Sequence, residues 1–172
     1  MNWYKIASED HAVSVTAEQF GAMTWEEKRD LIWPQDPNIS ARALFSSQSS
    51  TLTQRLFFTE QYLNKGYALT FLAVNRGITQ AIQRLFFTEE YELKSWALSN
   101  LSLNRGITQE TQLLFLTEEY SDKDDVLQDL VKNPSFLRGF TSEQWLRFKN
   151  AAKGSMRLLV LKKRLEQIVG TP

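Results

Sequence analysis

Apolar and polar positions along the chain recur in a fixed frame. TQRLFFTEQY at Thr53–Tyr62 returns as IQRLFFTEEY at Ile82–Tyr91 and as TQLLFLTEEY at Thr111–Tyr120, each copy displaced by 29 residues. Within a copy, Ile82, Leu85 and Phe86 share one helical face behind Thr79, and Thr108 opens the next copy in the same way, so each threonine is expected to cap a short first helix. Thr88 with Glu89 and Glu90 reads as the start of a second helix, as do Thr59 with Glu60 and Thr117 with Glu118 and Glu119, because first-turn carboxylates meet the positive end of a helix dipole. Along that second helix Tyr62, Lys65, Ala68, Leu69, Leu72 and Asn75 form one stripe. It returns as Tyr91, Lys94, Ala97, Leu98, Leu101 and Asn104, then as Tyr120, Lys123, Val126, Leu127, Leu130 and Asn133. This stripe is read as core, with the tyrosine hydroxyls at its edge and each asparagine bonded to the backbone of the neighbouring unit. The helix is expected to stop where Asn75 or Asn104 meets Arg-Gly, glycine tolerating a left-handed conformation, and where Asn133 meets Pro134.

An older unit, MTWEEKRDLIWPQDPNISARALFSSQSS, fits in front with a shorter turn, placing Leu31, Ala43 and Leu44 on Leu56, Ala68 and Leu69. A two-helix unit of this length cannot bury its own apolar face, so neighbours must stack. The expected architecture is all-α: an α-solenoid of about four helical hairpins over residues 23–135, one domain spanning 1–172. Residues 1–22 form an N-terminal arm or cap and 136–172 a helical C-terminal cap. In that cap a first helix starts at Thr141 or Ser142, Gly154 breaks it from a second, and the apolar stripe of the second is Met156, Leu159, Val160, the stem of Lys163 and Ile168. The alternation of capped helix, acidic turn and apolar helix, ending in Leu130, Asn133, Pro134 and Ser135 with the matching Leu72, Asn75 and Leu101, Asn104, resembles the HEAT-like solenoid superfamily, and within it most closely the leucine-rich repeat variant. That resemblance covers about two thirds of the chain and implies a curved scaffold that binds proteins or nucleic acid, with no chemistry of its own.

Composition narrows the classes of function. The 172 residues include no cysteine and one histidine, His11, which removes disulfides, thiolate metal clusters and thiol nucleophiles and leaves little for a histidine-dependent site. No phosphate loop or nucleophile motif is present. Adjacent Asp124 and Asp125 point to different faces of a helix. Alkylpurine DNA glycosylases use a similar helical-repeat scaffold with an acidic and aromatic cleft, but no catalytic motif surrounds Trp96 and Asp125. No apolar run approaches the roughly 20 residues of a membrane helix, and the start of the chain lacks the core of a signal peptide, so a cytoplasmic location is expected. Net charge is zero, yet residues 138–172 carry eight basic and two acidic side chains against twelve and eighteen in the remainder.

Positions that differ between units mark what stacking leaves free. Five and nine residues past the tyrosine, on one face of the second helix, stand Tyr67 and Phe71, then Trp96 and Asn100, then Asp125 and Asp129, with Arg42 and Ser46 in the first unit. These are the candidate partner-binding residues; the alternative is that the aromatic members are buried, since Leu63, Leu93, Val74 and Leu103 make these helices apolar nearly all round. The expected function is a non-catalytic scaffold for a protein or peptide partner, with no cofactor, metal or membrane. The alternative is nucleic-acid binding through phosphate contacts from Arg147, Lys149, Lys153, Arg157, Lys162, Lys163 and Arg164 in the basic cap, with Arg138 beside them.

Overall fold

The computed structural model describes residues 3–7, 12–32 and 51–169. His11, Arg42, Ala43, Leu44 and Ser46 lie outside these. Strands β1 (Trp3–Ala7) and β2 (Ala12–Thr16) pair antiparallel with Trp3 opposite Thr16 and Ala7 opposite Ala12, so the N-terminal arm contains a two-stranded ribbon rather than only a capping turn. All other regular structure among the described residues is helical: α1 (Ala17–Ala22), α2 (Trp25–Ile32), α3 (Thr51–Thr59), α4 (Lys65–Ala73), α5 (Gln80–Thr88), α6 (Lys94–Leu103), α7 (Gln109–Thr117), α8 (Lys123–Lys132), α9 (Ser142–Ala151) and α10 (Gly154–Val169). None of these helices is long and apolar enough to cross a membrane.

Helices α3, α5, α7 and α9 pack in series as one layer, and α4, α6, α8 and α10 as a second. The paired phenylalanines join the first layer. Phe58 of one unit meets Phe86 of the next edge to face at 4.8 Å between centroids, and Phe87 meets Phe115 at 4.9 Å, the geometry that aromatic quadrupoles favour. Trp25 takes the same place against Phe57 at 4.8 Å. In the second layer Ala68, Leu69, Leu72, Ala97, Leu98, Leu101, Val126, Leu127 and Leu130 are buried as the stripe requires.

Two polar ladders lock successive units together. Asn104 Nδ2 donates to the carbonyls of Ala73 and Asn75 at 2.7 and 3.0 Å, while its Oδ1 accepts from Gly106 N at 2.8 Å. Asn133 repeats the pattern on Ser102 and Asn104, with Ser135 N on its Oδ1. Each asparagine thus closes its own helix and satisfies carbonyls left open at the end of the previous one. On the first layer, buried Gln83 donates to Ile78 and Gly106 carbonyls and accepts from Thr108 N; Gln112 likewise bonds Ser135 O and Leu137 N.

The inner boundaries of each unit differ from the sequence expectation. Thr88 and Thr117 do not cap second helices; they end the first ones, their hydroxyls bonding back to Arg84 O and Leu113 O. The second helices start six residues later, behind Asn64, Leu93 and Asp122, all left-handed at φ 59°, 60° and 55°. The glutamates therefore lie past the end of a first helix, where Glu90 and Glu119 pair with Lys94 and Lys123. Tyr62, Tyr91 and Tyr120 hydroxyls brace the same turn by donating to Phe57, Phe86 and Phe115 carbonyls, and Lys65 and Lys94 donate to Phe58 and Phe87 carbonyls. The helix-stop role expected of Gly77 and Gly106 is also corrected, since the glycines with positive φ among the described residues are Gly139 and Gly154. Gly106 is needed for proximity instead: a Cβ there would stand 2.8 Å from Arg76 O. Thr141 caps α9 in a reciprocal pair with Gln144, and left-handed Gly154 separates α9 from α10. Within α10, Val160 is buried and Met156 packs on the core, whereas Leu159 is exposed, which removes it from the expected stripe.

Candidate partner-binding face

Helices α4, α6 and α8 approach one another more closely than α3, α5 and α7 do. Small side chains permit this: Gly66 lies so near Glu92 that a Cβ would meet its carbonyl oxygen at 2.5 Å. Hydrogen bonds cross the same short gap from Ser95 Oγ to Ser121 O and from Ser99 Oγ to Asp129. Side chains on the outward surface of this layer are consequently set side by side.

All six candidate residues belong to this layer, but with different duties. Tyr67 and Trp96 are 48% and 51% exposed, and their rings meet edge to face at 6.0 Å with an interplanar angle of 70°. The alternative that these two are simply buried is thus overturned. Asp125, next in the row, is exposed. Phe71 is half-buried and packs against the core. Asn100 is engaged structurally, its Nδ2 donating to Thr70 O at 3.0 Å. Asp129 accepts from Lys132 Nζ at 2.8 Å and from Ser99 Oγ at 2.6 Å, and these two bonds hold its carboxyl below the usual carboxylate range. Three of the six, Tyr67, Trp96 and Asp125, therefore present open surface.

Leu93 belongs with them and was not singled out by the sequence reading, although its signal was there. The same position in the other units is Asn64 or Asp122, residue types that enter the left-handed region readily, whereas a leucine there costs about 1–2 kcal/mol. Leu63 and Leu103 are also exposed on these units. A cavity of about 620 Å³ opens between the starts of α6 and α8, lined by Leu93, Trp96, Tyr91, Tyr120, Asp122 and Glu119 among others. A second, of about 580 Å³, opens on the first layer around Arg55 and Arg84.

In the basic cap, Arg147, Lys153, Arg157 and Lys162 are exposed, and Lys149 and Lys163 half-buried. Arg164 is used internally, stacked 5.6 Å over Trp145 and donating to Leu137 O. Among the described residues there is no group of three or more His, Asp or Glu side chains arranged to hold a metal ion. Comparisons of the chain with protein-family models, with curated proteins and with solved structures found no match.

Proposed function

We propose that the repeated hairpins constitute an α-solenoid of four units, HEAT-like and nearest the leucine-rich repeat variant, and that it serves as a non-catalytic cytoplasmic scaffold for a protein or peptide partner. The observation that carries this reading is the half-exposed Tyr67–Trp96 pair on the second-helix layer. A stack whose second helices are closer together than its first bends toward the second layer, so the pair faces the inner side of the curve. Exposed aromatic side chains in ring contact on such a surface are the typical anchors of a protein interface, and folding alone does not require them there.

The test is partner capture from host lysate by the tagged full chain, compared with Trp96→Ala. The expected result is a partner retained by the unaltered protein and lost by the variant, a weakening of about 2 kcal/mol or more, with the urea midpoint nearly unchanged. Equal losses of stability and binding would return Trp96 to the core. Binding to generic duplex DNA that weakens steeply with salt, and that is lost when Arg147, Lys153, Arg157 and Lys162 are reversed in charge, would favour the nucleic-acid reading instead.

A further inference from the structure

The cavity between α6 and α8 combines features that select one kind of occupant. Its apolar wall is Leu93 beside the Trp96 ring, and Leu93 is held left-handed without being buried in return. Its opposite wall is acidic. Asp122 lines the cavity, and Asp125 follows Trp96 in the row by the repeat. Neither has a cationic partner among the described residues. The nearby lysines do not neutralise them. Lys94 Nζ is folded onto Phe87 O and Glu90 at 2.9 and 3.0 Å, and Lys123 Nζ onto Glu118 O and Glu119 at 2.7 and 3.3 Å. An indole face with unpaired carboxylates beside it attracts a cation twice over, through the ring quadrupole and through charge-assisted hydrogen bonds.

We propose that this cavity receives a basic, partly apolar segment of the partner, resting on the scaffold reading above. An arginine of the segment stacks on Trp96 and bonds Asp122 and Asp125, while a neighbouring apolar residue covers Leu93. The carboxylates then supply orientation and on-rate, and the Leu93 and Trp96 surface supplies residence time.

Fluorescence anisotropy on the full chain tests this with a fluorescein-labelled dodecapeptide alternating arginine and leucine, set against its aspartate and leucine counterpart. Only the arginine peptide is expected to bind. Trp96→Ala and the double variant Asp122→Asn with Asp125→Asn should each weaken it at least tenfold; the double variant alters surface carboxylates alone and so guards against misfolding of the tryptophan variant. Leu93→Asn should weaken binding while raising the thermal midpoint, since asparagine relieves the left-handed strain. The proposal is overturned if both peptides bind alike, if the charge variant binds unchanged, or if Leu93→Asn lowers the midpoint. Self-association of the protein alone, abolished by reversing Arg157 and Lys162, would also overturn it by making the occupant the basic cap of a second copy. Should a partner be captured through Trp96 while the arginine peptide fails to bind, the scaffold reading survives and the basic-segment proposal falls.

Discussion

Replacing buried Asn104 with alanine removes two donated hydrogen bonds that are buried and one accepted bond that is partly buried. At about 1 kcal/mol net per bond, the direct loss is about 3 kcal/mol. Stranding the buried Ala73 carbonyl adds to it, whereas Gly106 is half-buried and the Asn75 carbonyl keeps a long bond from Ile78 N at 3.4 Å. A total of about 3–4 kcal/mol is therefore expected, a large share of the roughly 5–15 kcal/mol that stabilises a domain. Equilibrium urea unfolding, followed by circular dichroism and tryptophan fluorescence, measures it from the midpoint at constant slope. Asn104→Asp sharpens the test, because it keeps the acceptor for Gly106 but turns an oxygen toward two carbonyls. It should destabilise at least as much as alanine at neutral pH. A loss below about 1 kcal/mol for alanine would show that the ladder adds little beyond packing.

Leu101→Ala, at a fully buried position in the middle of the second layer, should cost about 2–5 kcal/mol by the same unfolding assay. Gly106→Ala should cost about 1–3 kcal/mol, since its Cβ would meet Arg76 backbone at 2.8 Å; Gly77→Ala should cost less, the nearest atom being Asn75 Oδ1 at 3.2 Å. Burial pushes the Tyr62, Tyr91 and Tyr120 hydroxyls well above their usual range. Their contribution is thus complete below about pH 10, the unfolded value, and is lost as pH rises beyond it. Ultraviolet titration should show these three ionising only as the helical signal collapses, and Tyr91→Phe should flatten that alkaline loss; early, independent ionisation would refute the burial argument.

Helix identity was legible because the chain compares itself with itself: a 29-residue repeat separates stripe residues such as Leu101 from free ones such as Trp96 without any other sequence. The asparagine bonds to the neighbouring unit followed from the same comparison. Boundaries inside the unit were not legible. A threonine followed by glutamates reads equally as a helix start or as a helix end whose hydroxyl bonds four residues back, and Tyr91 and Lys94, which hold the intervening turn, act on carbonyls that a linear pattern does not mark. The buried glutamines were passed over because one polar residue per turn of an amphipathic helix is ordinarily solvent-facing; only the stack shows that Gln83 has Gly106 above it. At the candidate face, the row of variable positions was readable, but whether Trp96 was covered depended on neighbours at distances no pattern contains. The N-terminal ribbon alternates weakly over two five-residue strands and gave no comparable signal.

Asn133 bonds the unit before it just as Asn104 does, so each of these two rungs is set by the unit next to it. Excising 29 consecutive residues in frame, from Gly77 to Arg105, would join Arg76 to Gly106 and leave Asn133 to close on Asn75. The shortened chain would lose Leu93 and Trp96 yet retain one intact ladder, and inserting a further block would lengthen the same surface by one more outward position. Copy number is thus an inheritable dial on reach: unequal recombination within the coding sequence can change how much partner surface is spanned while leaving each junction chemically the same.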